Sequence, residues 1–169
     1  PAEASSDQYI LLLPGIDGGS ADKNHKGWFE IDAYDFEVLR STLAGGGSKL
    51  TFDPLVVTAD LGADLADLLA SAASGKFFKT VELEGVNSNG GVFYNLELTD
   101  AAIVKVDEGN INKDTLAFDY SKVTLTTTEF DSKGSKGDTY VVEWDLAGGG
   151  GSIDYSGIAS LGDDTPAEA

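Results

Sequence analysis

The chain has 169 residues, 41% of them hydrophobic, and 29 acidic side chains against 11 basic ones give a formal net charge of −18. That length and composition allow one domain with a sizeable core and exclude a disordered acidic solvator. A single arginine, Arg40, excludes nucleic acid as a partner, because phosphate binding needs clustered cations, and the lack of cysteine excludes a disulfide framework, a thiolate metal site and a Cys nucleophile.

Residues 1–7 are small and polar and read as a flexible N-terminus. The run from Tyr9 to Leu13 is a short strand entering the core, stopped by Pro14-Gly15. It is the longest apolar run and far too short to span a bilayer, so membrane insertion is not expected. No basic segment with an apolar core stands at the start, so no secretory signal is expected in this chain. A turn-rich polar loop follows, Asp17-Gly18-Gly19-Ser20 through Lys26-Gly27, holding the only histidine, His25. From Trp28 to Val38 the residues alternate at period two, which predicts one continuous strand, in part apolar on both faces and therefore covered by protein on both sides.

Residues 43–48 form a flexible glycine-rich turn, and the strand predicted over 49–57 is broken or placed at an edge by Pro54, which has no N–H to donate. Leu61, Leu65, Leu68, Leu69 and Ala72 fall at helical spacing, predicting one helix capped by Asp60, ended by Gly75 and burying its four leucines. Strands are predicted around Val81 and Leu83, Tyr94 to Leu98, Ala102 to Val106, Leu116 to Tyr120, the Thr-rich stretch Val123 to Thr128, and Tyr140 to Leu146. Residues 87–91 read as a hairpin turn and residues 131–138 as a loop rather than a tight turn. The expected fold is mainly β: a β-barrel or two-sheet sandwich over residues 8–147 with one flanking α-helix. Residues 148–169 read as a Gly-rich linker and an acidic tail whose larger apolar residues are Ile153, Tyr155, Ile158 and Leu161.

Three stretches carry a resemblance. Ile16-Asp17-Gly18-Gly19-Ser20, Asp22, His25-Lys26 and Glu30-Ile31 are similar to the early loop and strand of the haemolysin-coregulated protein family, the Hcp tube proteins of type VI secretion. Gly19 stands where that family usually has Glu, and Phe29 where it often has Ile. The run from Leu69 to Lys79, with Ser74-Gly75-Lys76, resembles the family's helix end, and Trp144-Asp145-Leu146 its late strand. The resemblance implies an Hcp-like fold and a structural, non-enzymatic protein. It also implies a ring-shaped homo-oligomer, six-membered, stacking into a hollow tube. Sheath and spike proteins and small effectors in the lumen would be its partners, and export to the extracellular side would follow assembly in the cytoplasm.

The resemblance also implies an assembly loop that touches neighbouring subunits or rings: Asp17, Gly18, Ser20, Asp22, Lys23, His25, Lys26 and Trp28. The loop looks too polar to serve the core, so cutting it to a two-residue turn is expected to leave the barrel folded. His25 is the one side chain suited to proton transfer near neutral pH, but a flexible polar loop is a poor platform for catalysis, and no catalytic residue or cofactor is assigned. Residues 110–114 after Asp107 and Glu108 offer alternating oxygens, yet lack the spacing and closing Glu of a calcium loop, so no metal is assigned. Glu82 with Glu84, and Glu143 with Asp145, read as solvated strand faces rather than a glycosidase pair. Two alternative readings stand beside the tube: an Hcp-like extracellular filament unrelated to injection, and a secreted glycan- or calcium-binding β-sandwich.

Overall fold

The computed structural model describes residues 7–20, 24–109, 113–146 and 150–152. Residues 1–6, Asp22, Lys23, Asn110 to Asn112 and the tail from Ile153 onward, all named above, lie outside the described residues. The strands are β1 (Gln8–Leu12), β2 (Phe29–Ile31), β3 (Ala33–Asp35), β4 (Val38–Thr42), β5 (Ser48–Phe52), β6 (Leu55–Ala59), β7 (Phe77–Val86), β8 (Val92–Glu108), β9 (Asp114–Asp119), β10 (Lys122–Phe130), β11 (Lys136–Asp145) and β12 (Gly150–Ser152). One α-helix among the described residues, α1 (Leu65–Ser74), follows a 3-10 turn at Gly62–Asp64.

The strand expected from Trp28 to Val38 is not continuous. Its first half, β2, pairs with β1, and after a kink at Asp32 its second half, β3, pairs with β6. The Asp32 N–H donates to the Thr58 carbonyl at 2.8 Å, which holds the kink. Only Phe29 and Ile31 are buried, while Glu30, Ala33 and Asp35 are exposed, so two-sided coverage does not hold within the subunit. The kink closes the barrel: β1, β7, β8, β9, β6 and β3 pair in succession, and the chain returns through β2 to β1. Inside lie Leu11, Leu83, Leu96, Leu98, Leu116 and Phe118, each at 0% exposure, and burying each contributes about 1.5–3 kcal/mol before its ordering entropy is counted.

Two strands expected in residues 94–106 are one. β8 runs for 17 residues and spends its length on three neighbours, with β7 along one edge and β10 then β9 along the other. Asp100, exposed and at φ 51°, and a bulge between Ile103 and Lys105 bend it where β10 gives way to β9. Near its start, Gly85 on β7 sits between the cross-strand residues Tyr9 and Tyr94. A Cβ there would lie 2.8 Å from both the Tyr9 and Phe93 rings, so glycine is what lets the aromatics close over the strand.

The helix begins later than its leucine spacing suggests. Leu61 is buried and its N–H is taken by Asp114 Oδ2 at 3.2 Å, so the chain there is tied to the barrel and enters α1 through the 3-10 turn. Asp64 occupies the N-cap position, without a side-chain capping bond, and Asp60 does not cap. Leu61 and Leu68 are buried, Leu65 is half-buried, and Leu69 is 56% exposed. Gly75 does end the helix, in the left-handed region at φ 70°. Residues 131–135 form a tight turn, not an open loop, because Asp131 Oδ1 accepts the N–H groups of Lys133 and Ser135. The expected linker over residues 148–152 is also shorter than it reads, since Gly150–Ser152 forms β12 against β11.

Candidate functional site

Two surface features bear on function: the early loop and a hairpin that leaves the barrel. The loop begins where the Ile16 N–H donates to the Leu13 carbonyl at 3.1 Å, turning the chain out of β1. Asp17 Oδ1 accepts the Gly19 N–H at 2.8 Å, Gly18 N–H donates to the Gly27 carbonyl at 2.6 Å, and Ser20 N–H to the Trp28 carbonyl at 2.9 Å. These bonds tie the two limbs of the loop together. Gly18 is required by the fit, because a Cβ would lie 2.5 Å from the Phe29 ring and 2.7 Å from its backbone nitrogen.

The loop then lies back on its own subunit. His25 is buried, and its Nε2 is 2.7 Å from Glu84 Oε1. Trp28 meets the imidazole edge-on at 4.8 Å. Ser20 is buried as well. Cross-strand register places Glu30, Ile10 and Glu84 on one row, on the face opposite the core residues Leu11 and Leu83. Ile10 is nevertheless 0% exposed, so this outer face is not open to solvent there.

The loop expected to lie outside the core thus packs Ser20 and His25 against its own subunit. Polar composition does not keep a side chain outside when a carboxylate on the sheet supplies its partner. Of the assembly-loop residues, Asp17 and Lys26 are exposed, Gly18 and Trp28 half-buried, and Ser20 and His25 buried; Asp22 and Lys23 lie outside the described residues.

Glu84 belongs to a polar row that sequence reading placed in solvent. Asn95 Nδ2 donates to Glu84 Oε2 at 2.8 Å and to Glu82 Oε1 at 3.2 Å, and Glu82 faces Glu97 directly across the strands. Both Glu82 and Glu84 are half-buried. Burial raises the pKa of Glu82 above its ordinary 4.5, the Asn95 hydrogen bond opposes this, and Glu97 and Glu84 add to the rise. A folded-state pKa above the unfolded value means that folding takes up protons, so this group costs stability as pH rises through its folded pKa. Glu82→Gln, which keeps an acceptor for Asn95, is expected to raise the melting temperature at pH 7. The gain should vanish below about pH 4, where both states are protonated. Equal melting curves for the two proteins at pH 7 would show that Glu82 carries no penalty.

The second feature is the hairpin β4–β5. It forms a two-stranded sheet of its own, joined to no other strand among the described residues. Its base is held by the Asp53 N–H to the Glu37 carbonyl at 3.0 Å, by Tyr120 Oη to the Asp53 carbonyl at 2.7 Å, and by Phe52 against Trp144 at 5.7 Å. Beyond the base it projects Val38, Leu39, Leu43 and Leu50, which are 37–48% exposed. An isolated hairpin is marginal in water and exposed leucines on it have no role in the monomer's core. Sequence reading saw residues 43–48 only as a turn. The sequence signal for it is Val38-Leu39 before that turn and Leu50 after it, with Leu50 opposite Arg40 and Val38 opposite Phe52.

A shallow groove of about 670 Å³ lies between α1 and β8, lined by Leu69, Ala72, Phe77 and Val104 among others, with Phe77 70% and Val104 52% exposed. A cleft of about 350 Å³ beside the early loop is lined by Gly19, Ser20, Glu30, Asp32, Asp60 and Lys113, and its Lys113–Asp32 ion pair of 2.7 Å is half exposed. Among the described residues no group of three or more His, Cys, Asp or Glu side chains is placed to hold a metal. In the stretch weighed for calcium, Asp107 and Glu108 are strand residues paired with Thr115 and Asp114, and Asp114 is already bonded to Leu61. No helix among the described residues is long and apolar enough to cross a membrane.

Comparison with known proteins places these features in a family context. The family model described as "Type VI secretion system effector, Hcp" matches residues 10–127. Among solved structures, a type six secretion system protein is 22% identical with a TM-score of 0.75, over 85% of this chain and 98% of its own. Hcp1 from Salmonella typhimurium is 22% identical with a TM-score of 0.71, over 85% and 97%. A type VI secretion system effector from Yersinia pestis is 20% identical with a TM-score of 0.66, over 81% and 98%. Comparison with curated protein sequences gave no match.

Proposed function

Because the chain belongs to the Hcp family of type VI secretion, we propose that it is the repeating subunit of a hollow tube: a ring-shaped homo-oligomer, six-membered, whose rings stack. The protein is read as structural rather than catalytic, secreted after assembly, with sheath and spike proteins as partners and small effectors as passengers in the lumen. The observation that carries self-association is the detached β4–β5 hairpin with its four exposed large apolar residues. In a chain of charge −18, apolar side chains are held outside the core at a cost in solubility, and cover by another copy removes that cost. The groove at Phe77 and Val104 offers a second apolar face, on the other side of the barrel wall from the core. Asp17 and Lys26 on the rim of the early loop join the hairpin as contacts, while Ser20 and His25 hold the loop in shape.

Charge sets the conditions for stacking. A ring of six copies carries six times −18, or −108, so rings repel at low ionic strength and approach once the charge is screened within about 8–10 Å. Light scattering is expected to give six times the chain mass at low salt, and negative-stain microscopy is expected to show tubes lengthening as salt rises. A monomer at every salt and protein concentration would overturn the ring. Tubes that dissolve as salt rises would show that opposite charges, not apolar cover, hold the stack.

A further inference from the structure

Asn89 is the one asparagine of the chain that a glycine follows. It lies in the turn of residues 87–91 between β7 and β8, and the hydrogen bonds of that turn are made by another residue. The Asn87 carbonyl accepts the Gly90 N–H at 2.9 Å, and Asn87 Oδ1 accepts the N–H groups of Asn89 and Gly91 at 3.0 and 2.8 Å. The Asn89 carboxamide has no hydrogen-bond partner among the described residues, and Ser88, Asn89 and Gly90 are all exposed. Gly90 takes φ 88°, in the left-handed region, so the turn itself calls for glycine after Asn89. That glycine has no side chain to shield its nitrogen.

An asparagine side chain brings Cγ within reach of the next residue's backbone nitrogen, and attack closes a five-membered ring. The bond from Gly90 N to Asn89 Cγ forms, the Cγ–Nδ2 bond breaks, and ammonia leaves with the proton of the Gly90 nitrogen. Water then opens the succinimide at one of its two carbonyls. Opening at Cγ leaves an ordinary aspartyl residue. Opening at the main-chain carbon leaves an isoaspartyl residue, whose chain runs through Cγ and is one atom longer. Attack requires the Gly90 N–H to leave the Asn87 carbonyl, an opening confined to an exposed turn and therefore cheaper than unfolding.

The other candidates are held shut. Asp17-Gly18 would close the same ring, but the Gly18 N–H donates to the Gly27 carbonyl at 2.6 Å, and Asp17 Oδ1 accepts the Gly19 N–H at 2.8 Å. Gly18 is also packed against Phe29. Asn95 lies within β8, with its Nδ2 bonded to Glu82 and Glu84, and precedes Leu96. Asn87 spends its side chain on the turn and precedes Ser88.

We propose that Asn89 is a spontaneous modification site, where the folded chain deamidates through Gly90 while Asn87, Asn95 and Asp17 stay intact. The change adds one negative charge to a chain that already carries −18. The isoaspartyl form lengthens the main chain inside the turn, so the Gly90 to Asn87 bond is lost. It also reaches the neighbouring turn of residues 131–135, because a Cβ on Gly134 would lie 3.1 Å from Asn89 Nδ2. The free α-carboxyl of the isoaspartyl product is the group that carboxyl methyltransferases esterify. This stands apart from the tube reading, since a peptide mass reports it whether or not the chain assembles.

Peptide mapping of the unmodified chain after incubation in mildly alkaline buffer tests it. The tryptic peptide over residues 80–105 is expected to gain about 1 Da at Asn89, and about 3 Da in water labelled with oxygen-18, because the entering oxygen comes from water. Isoelectric focusing under denaturing conditions should show one acidic step per chain, and a carboxyl methyltransferase with labelled S-adenosylmethionine should mark the same peptide. Asn89→Gln, whose ring would need six members, is expected to lose all three signals. Unfolding in urea should add isoaspartate at Asp17 that the folded chain lacks. Change at Asn87, Asn95 or Asp17 of the folded chain as fast as at Asn89 would overturn the inference. So would an acidic step that persists in Asn89→Gln, or an Asn89 that stays intact in the folded chain after the unfolded chain has fully deamidated.

Discussion

Leu39→Asp with Leu43→Asp in the β4–β5 hairpin is expected to abolish tubes in electron micrographs while leaving the melting temperature nearly unchanged. Both side chains are about half exposed in the subunit and lie outside its core, so the fold loses little; surface changes of this kind fall within about 0.5 kcal/mol. In a covered contact the same residues weigh far more. An apolar anchor enclosed by a partner is worth about 2 kcal/mol when removed, and two of them weaken each contact by roughly three orders of magnitude. Placing carboxylates there also adds charge to an assembly that already repels itself. Rescue of tubes by high salt alone would mean that charge, not lost cover, was the cause. Leu39→Ala with Leu43→Ala separates the two, since it removes cover without adding charge. Tubes of normal length from both double variants would show that the hairpin is not the contact.

His25→Ala is expected to lower the stability of the subunit by about 2–3 kcal/mol, with a fall in melting temperature of roughly 4–12 °C for a chain of this size. The histidine is buried, and its removal leaves Glu84 Oε1, on a half-buried carboxylate, without the partner that stands 2.7 Å away. A void beside Trp28 adds to the loss. His25→Ala with Glu84→Ala should be less damaging than the two single changes added together, because neither group is then left alone. Strict additivity would show that the two side chains do not interact. Shortening the loop to a two-residue turn removes the buried Ser20 and His25 at once, so it is expected to destabilise the barrel more than His25→Ala does. A shortened protein that melts like the unmodified chain would restore the view of the loop as an appendage.

Sequence and structure divided the work along a physical line. The mainly β architecture, the break at Pro54, the helix end at Gly75 and the hairpin at residues 87–91 were all legible in the chain. Each follows from a local rule: period-two alternation, a missing donor, a residue free to adopt positive φ, a turn-forming tetrad. Family membership was legible for a similar reason, because short stretches of loop and strand carry it in order. Composition alone fixed the charge, and with it the expected salt dependence of any assembly.

Tertiary structure decided what depends on partners distant in sequence. The kink at Asp32 exists because β3 finds the Thr58 carbonyl, 26 residues away, and no pattern within the strand announces it. The helix starts late because Asp114, 53 residues beyond Leu61, holds the chain just before it. Glu84 looked solvated because it alternates with leucines, but His25, 59 residues earlier in the chain, comes down on it. Two side chains of the early polar loop, Ser20 and His25, are thus buried, and the glycine turn over residues 43–48 closes a hairpin whose strands project apolar residues. Local alternation records which face of a strand a residue takes; what covers that face is fixed only when the barrel closes.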